Sequence, residues 1–254
     1  MYVACSTQCF ARYPLDQAMR MIAEMEFNKI DVAIHEHGKH LKPSEIAADV
    51  GLAAQKLRIG PGLVPVAFSL EILAEDPAEW DRQFKAVCRL SRLCAVPIVS
   101  MRTGAVDTPL DGVVESFKEL VKVAGADGVI LCVATVTGTH TEDPDKAIDL
   151  CKRVPGLGLT LDPSHFLVGP NQGRSYDHVL PYVRHVHFRD TKRGLNNFQV
   201  RIGQGEIEYG RIISQLARQG YNRLLTVDVC DIPDSPFAVQ PEVRKLKYLL
   251  ESLI

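Results

Sequence analysis

The chain has 254 residues, 46% of them hydrophobic and 24% charged, and its 29 basic and 31 acidic side chains leave a net charge of −2. That balance lacks the excess positive charge that drives sequence-independent nucleic-acid binding, so no nucleic-acid partner is expected. With 18 Gly and 15 Pro the chain is neither collagen-like nor disordered, and no apolar run reaches the roughly 20 residues that cross a bilayer.

Taken in chain order, Tyr2–Cys5 reads as a short apolar strand, followed by a helix whose buried stripe is Leu15, Ala18, Met19, Ile22 and Met25. Lys29–Ile34 is the second strand; the histidine-rich loop AIHEHGKHLKP then leads to a helix starting near Pro43–Ser44. The third strand is Leu63–Phe68, and after Asp76–Pro77 the spacing of Trp80, Phe84, Val87, Leu90 and Cys94 predicts a long helix. Pro97–Met101 is the fourth strand, and Val113, Phe117, Leu120, Val121 and Ala124 form the next helical face. Gly128–Ala134, Leu157–Leu161 and Val183–Phe188 are the fifth, sixth and seventh strands. A helix carrying Ile212, Ile213, Leu216 and Ala217 precedes the eighth strand, Arg223–Val229, and the stripe Val243, Leu246, Leu249, Leu250 ends the chain.

Eight strands thus alternate with eight helical segments, and the strand starts recur about every 32 residues, enough for one strand, one helix and two short loops. Largely apolar strands separated by helices imply a parallel sheet covered by helices. Eight such units in this length predict an α/β fold, a (β/α)8 TIM barrel, as a single domain over residues 1–254. No GxGxxG follows the first strand, which argues against a dinucleotide-binding sheet. The start MYVACSTQCFARYPLD has no basic segment before an apolar one, so no secretory signal is expected. The seven cysteines are odd in number, have no CxxC pair and lie largely in apolar stretches; reduced thiols in a cytoplasmic protein are the simplest reading, with Cys230 the one candidate for a reactive thiol. Neither a membrane partner nor a particular oligomer is indicated, and a homo-oligomer is left open.

In such a barrel the active site forms where strand C-termini meet the following loops, so polar residues at strand ends carry the most weight. LTLDPSHF ends the sixth strand with Asp162 and places His165 three residues on. RHVHFRD alternates His185 and His187 on the seventh strand with Asp190 beyond, and LLTVDVCD puts Asp228 at the end of the eighth. Two carboxylates and an imidazole from adjacent strand ends make a mixed N/O set suited to Mn²⁺, Mg²⁺, Co²⁺ or Zn²⁺. Singly, each also has a structural reading: Asp162 can cap the turn before Pro163, and His187 can be a hydrogen-bonded core histidine.

The eight-unit rhythm, LTLDPSHF, HVHFRDT and IGQGEIEYGRII together resemble the xylose isomerase-like TIM-barrel superfamily, over the whole chain and most specifically from about residue 128 to 230. That group includes sugar isomerases and 3-epimerases, dehydratases and abasic-site DNA endonucleases. The resemblance implies a divalent metal held by a Glu, an Asp, a His and a Glu from the fifth to eighth strands. Here Asp162 and His187 fall on the Asp and His ligands, Asp228 on the final Glu, and His165 on a histidine that contacts substrate. The strand-five glutamate is replaced by Ala134, and Val136 stands where several members carry histidine. Alanine offers neither a ligand atom nor a titratable proton, so a base is lost along with a ligand. Asp228 is one methylene shorter than Glu, setting its carboxylate back by about 1.5 Å.

Among other candidates, His35, Glu36, His37 and His40 open on the same face, with His35 and His37 on one side if the strand continues. Glu142 lies after the fifth strand but is read as belonging to the turn before Asp143–Pro144. Arg102, Arg189, Lys192 and Arg193 follow strand ends and suit an anionic sugar derivative, arginine through paired hydrogen bonds. The glycines of IGQGEIEYG read as a structural turn.

The expectation is therefore a metal-dependent isomerase- or epimerase-like enzyme, or a lyase, acting on a small carbohydrate. Asp162, His187 and Asp228 would hold the cation, Asp228 and His165 would move protons, and Arg102, His165, Arg189 and Lys192 would bind substrate. The alternative, prompted by Ala134, is a non-catalytic or metal-free carbohydrate-binding barrel.

Overall fold

The computed structural model describes residues 1–58, 60, 62–194, 198–233 and 235–254. Its strands are β1 (Tyr2–Ser6), β2 (Lys29–His35), β3 (Val64–Glu71), β4 (Ile98–Met101), β5 (Ile130–Ala134), β6 (Gly158–Leu161), β7 (Val183–Phe188) and β8 (Leu224–Val227). They pair in sequential order, all parallel, and the sheet closes when β1 pairs with β8 from Tyr2↔Leu224 to Cys5↔Val227. This is the (β/α)8 barrel that the strand rhythm predicts.

The helices are α1 (Leu15–Glu24), α2 (Pro43–Ala48), α3 (Val50–Arg58), α4 (Pro77–Leu93), α5 (Leu110–Ala126), α6 (Pro144–Arg153), α7 (Pro163–Val168), α8 (Tyr209–Arg218) and α9 (Val239–Glu251). Among the described residues the regular count of one helix per strand fails in one unit, and in another the helix is short. The second unit carries both α2 and α3, and the β6–β7 connection has only the two-turn α7 followed by a 3₁₀ turn over Asp177–Tyr182. Asp76 caps α4 by accepting from the Glu79 N–H, with Pro77 at the first helical position. From there Phe84, Val87 and Leu90 turn inward and are fully buried.

Two departures from the expected strand limits shape the mouth. β3 runs three residues past Phe68, because β2 extends to His35 and the two pair onward from Asp31↔Ala67 to His35↔Glu71. This carries Ser69 and Glu71 to the C-terminal end of the barrel. β2 itself stops at His35, where the chain turns and the Gly38 N–H donates to the His35 carbonyl. His37 is therefore exposed rather than aligned with His35.

After β7 the chain is pinned by Asp190. Its Oδ2 accepts from the Gly203 and Gly205 N–H groups at 2.7 and 3.1 Å. Gly203 has φ +84°, and a Cβ on Gly205 would run into the Asp190 carboxylate and the Thr191 carbonyl. The glycine motif is a structural turn, as its composition suggests. No helix among the described residues is long and apolar enough to cross a membrane.

Candidate active site

A cavity of about 1170 Å³ opens at the C-terminal ends of the strands. Its walls differ. Leu73, Trp80, Pro109, Val113, Phe117 and Leu120 line one side, while Asp162, His165, His187, Arg189, Asp228 and Cys230 line the other. Gln8, His35, Glu71 and Arg102 reach it from β1 to β4.

The period-two alternation of β7 turns His185 and His187 into the barrel and sends Val186 and Phe188 outward to the helices, where Phe188 packs edge-on against Tyr209 at 5.4 Å. Inside, both histidines meet Asp31, a residue that the strand pattern of β2 does not single out. Asp31 Oδ2 accepts from His185 Nε2 at 2.8 Å and His187 Nε2 at 2.7 Å, and its Oδ1 accepts from Ser69 Oγ at 3.1 Å. Burial disfavours the Asp31 charge, but the two imidazoles outweigh it and hold the carboxyl well below its ordinary range. Burial likewise opposes a charge on His187, yet Asp228, Asp31 and Asp162 raise it to about 9, so this ring is an imidazolium at neutral pH. His185 goes the other way: burial lowers it, and its Nδ1 is enclosed without a hydrogen-bond partner among the described residues.

Above this cluster, Arg189 Nη2 donates to Asp162 Oδ2 and to Asp228 Oδ2, both at 2.7 Å. Nη1 donates to Cys230 Sγ at 2.9 Å, and the Phe198 ring covers the guanidinium at 4.9 Å. Asp162 does two jobs at once: Oδ1 caps α7 by accepting from the Ser164 N–H and hydroxyl, while Oδ2 faces Arg189. Against the cost of burial, Arg189, His165 and Ser164 hold the Asp162 carboxyl below its ordinary range. The second carboxylate is less enclosed by partners. Asp228 Oδ1 is buried and has no hydrogen-bond partner among the described residues.

His165 lines the cavity beside Phe198, their rings 4.6 Å apart. The Thr137 N–H donates to its Nδ1 at 3.1 Å, so the neutral ring carries its proton on Nε2, which lies 3.7 Å from Asp162 Oδ2. Burial lowers its pKa to about 4, despite the Asp162 charge. His35 accepts from Gln8 Nε2 at Nδ1, 2.9 Å away, and burial keeps it neutral as well.

Of the residues expected at the site, Asp162, His165, His187, Arg189, Asp228 and Arg102 all line one cavity, and Arg102 has no hydrogen-bond or ion-pair partner among the described residues. Lys192 is exposed and does not line it. Glu142 accepts from the Gly138 N–H at 2.7 Å in the turn after β5 and stays away from the mouth. Cys230 is no activated thiol, because burial pushes it up to about 11 in spite of Arg189. All seven cysteines are unpaired. The residues missed are Asp31, Glu71, Trp80 and Phe198. Asp31 had one available signal, a lone acid inside the apolar run KIDVAI.

The sequence matches the model of the xylose isomerase-like TIM barrel over residues 19–249. The chain belongs to that family. No protein of curated function matches it. Among solved structures, a xylose isomerase domain protein from Planctomyces limnophilus superposes with a TM-score of 0.77 at 16% identity, over 100% of this chain and 98% of that one. A family protein from Mycobacterium smegmatis in complex with magnesium gives 0.75 at 19% identity, over 100% and 98%. The D-psicose 3-epimerase from Clostridium cellulolyticum H10, with D-tagatose, gives 0.72 at 15%, over 100% and 99%.

The four ligand positions that the family resemblance implies do not fit a divalent ion here. Ala134 lines the cavity at the end of β5 without a donor atom, and Arg189 Nη2 lies between the Asp162 and Asp228 oxygens. His187 donates its Nε2–H to Asp31 in a hydrogen bond and stands with Nδ1 3.7 Å from Asp228 Oδ2. Among the described residues, the three side chains whose ligand-type atoms come within 4.8 Å of one another are instead Asp31, His185 and His187, deeper in the barrel.

Proposed function

We propose that this barrel is an enzyme of the isomerase or epimerase type acting on a small carbohydrate or sugar derivative. The observation that carries the reading is the Asp228 carboxylate, whose Oδ1 has no hydrogen-bond partner among the described residues, beside two imidazoles that differ in charge, His165 and His187, at the polar wall of the cavity. Family membership and the sugar-acting neighbours support it.

In this reading Asp228 removes the proton from a carbon next to the substrate carbonyl, and the C–H electron pair moves onto the carbonyl oxygen to give an enediolate. His165 Nε2–H donates to that oxygen as a neutral imidazole, whose low pKa makes it a hydrogen-bond donor rather than a proton sink. His187, an imidazolium, adds positive charge next to the same centre. Return of the proton by Asp228 to the adjacent carbon, with the neighbouring hydroxyl proton passing to the enediolate oxygen as the new carbonyl forms, gives isomerisation. Return from the opposite side, which gives epimerisation, requires another acid; Glu71, at the end of β3, lines the same cavity and is the candidate. Arg102, which lines the cavity and has no hydrogen-bond or ion-pair partner among the described residues, meets a carboxylate or phosphate on the substrate. The seven unpaired thiols suit a reducing, cytoplasmic compartment.

Incubation with aldoses, ketoses and sugar acids in D₂O, followed by NMR, tests the proposal. Deuterium should enter at the carbon next to the carbonyl, and Asp228→Asn should abolish that exchange. The second reading, a sugar-binding barrel without turnover, is favoured by the Arg189 bridge that occupies one oxygen of each carboxylate. Thermal stabilisation by a sugar with no exchange would select it over the first.

A further inference from the structure

We propose that Arg189 is the resident cation of this site, its guanidinium taking the place of a divalent ion between Asp162 and Asp228. Three independent features lead there. One nitrogen, Nη2, is 2.7 Å from an oxygen of each carboxylate, so the two acids share one positive centre, as two acid ligands share an ion. The neighbouring strand end that a metal would need for a further ligand presents the methyl group of Ala134. The guanidinium is also held by Cys230 Sγ, 2.9 Å from Nη1, and by the Phe198 ring at 4.9 Å; Arg189 is only 6% exposed, and its buried Nε has no hydrogen-bond partner among the described residues.

The exchange balances electrostatically. Two buried carboxylates facing one cavity repel each other, and either a bound cation or a built-in one must offset that repulsion. A guanidinium does so permanently, with directed hydrogen bonds in place of coordination bonds. It cannot be removed by chelation, and Asp228 Oδ1 keeps no hydrogen-bond partner among the described residues. Asp228, shorter than a glutamate, sets its carboxylate back and so leaves room for the guanidinium.

The inference does not rest on the sugar reading, because it is tested by metal binding without any substrate. Chelator-treated protein is titrated with Mn²⁺, free ion is read by electron paramagnetic resonance, and Tm is followed in parallel. Wild type and Asp162→Asn should bind Mn²⁺ to the same extent, with no step attributable to Asp162. Arg189→Ala should lose Tm relative to wild type, then recover it as Mn²⁺ rises, since a ligand that binds only the folded state stabilises it. Asp162→Asn added to Arg189→Ala should remove that recovery. A stoichiometric Mn²⁺ site in wild type that Asp162→Asn abolishes would overturn the assignment, as would an Arg189→Ala protein with unchanged Tm. If Arg189→Ala does not fold, Arg189→Lys retains a cation and should fold while staying as insensitive to Mn²⁺ as wild type; a Tm rising with Mn²⁺ in that variant counts against the proposal.

Discussion

The two walls of the cavity solve different problems. On the side of β6 to β8, the charged groups meet partners inside the protein: Arg189 lies against both Asp162 and Asp228, and His187 against Asp31. On the side of β3, α4 and α5, Leu73, Trp80, Val113 and Leu120 present apolar surface, relieved by Arg102 near its edge. The polar wall is expensive to build, because each buried charge must find its partner before the chain gains anything. It is rigid in consequence, and its geometry is prepared before a substrate arrives. The apolar wall needs no such matching and offers shape and apolar surface alone. On the proposed function, chemistry falls to the first wall and selection to the second.

The sharpest way to break this contrast is Asp31→Ala. It removes the acceptor of two buried imidazoles and should cost about 3–5 kcal/mol in urea unfolding, the range for breaking a buried charged pair. A loss below about 1 kcal/mol would mean that the polar wall is far less interdependent than its hydrogen bonds suggest. Next in size, Asp228→Asn keeps the shape of the wall but should lower substrate C–H exchange at least about a hundredfold, the usual reach of a general base. Exchange at the wild-type rate would shift the proton-moving role elsewhere, with Glu71 the first candidate.

A gentler probe is pH. His187 is held near 9 in the fold, above its ordinary value of 6.5, so its favourable charge is fully present below about 6.5 and is lost as pH rises through about 9. Its ring resonances should titrate in that upper range by NMR, and Asp31→Asn, if it folds, should move the midpoint down. A midpoint near 6.5 in wild type would remove the imidazolium from the mechanism. The smallest effect is expected on the other wall. Trp80→Ala deletes a half-buried ring stacked on Phe84 at 5.5 Å and should cost about 1 kcal/mol of stability. It should raise KM while leaving kcat near wild type, which separates selection from chemistry.

Much of the fold was legible because its signals are local. Alternation along β7 and three- and four-residue spacing along α4 and α5 are properties of neighbouring residues, and eight repeats of that rhythm leave little besides a closed barrel. The same logic located Asp162, His165, His187 and Asp228, since strand ends of a parallel barrel converge at one mouth. Where local signals misled, a partner strand or turn was responsible: β3 was lengthened by its pairing with β2, and His37 was turned away when β2 stopped at His35.

The sequence by itself determined the barrel and the acids and imidazoles gathered at one of its ends, with Ala134 among the residues there. Only the tertiary structure decided how those charges pair. Asp31 and His185 are 154 positions apart and meet only across the closed barrel, and Arg189 and Asp162 are joined only by strands laid side by side. Pairing of this kind depends on desolvation and on which opposite charge lies within about 3 Å, and a linear pattern encodes neither quantity.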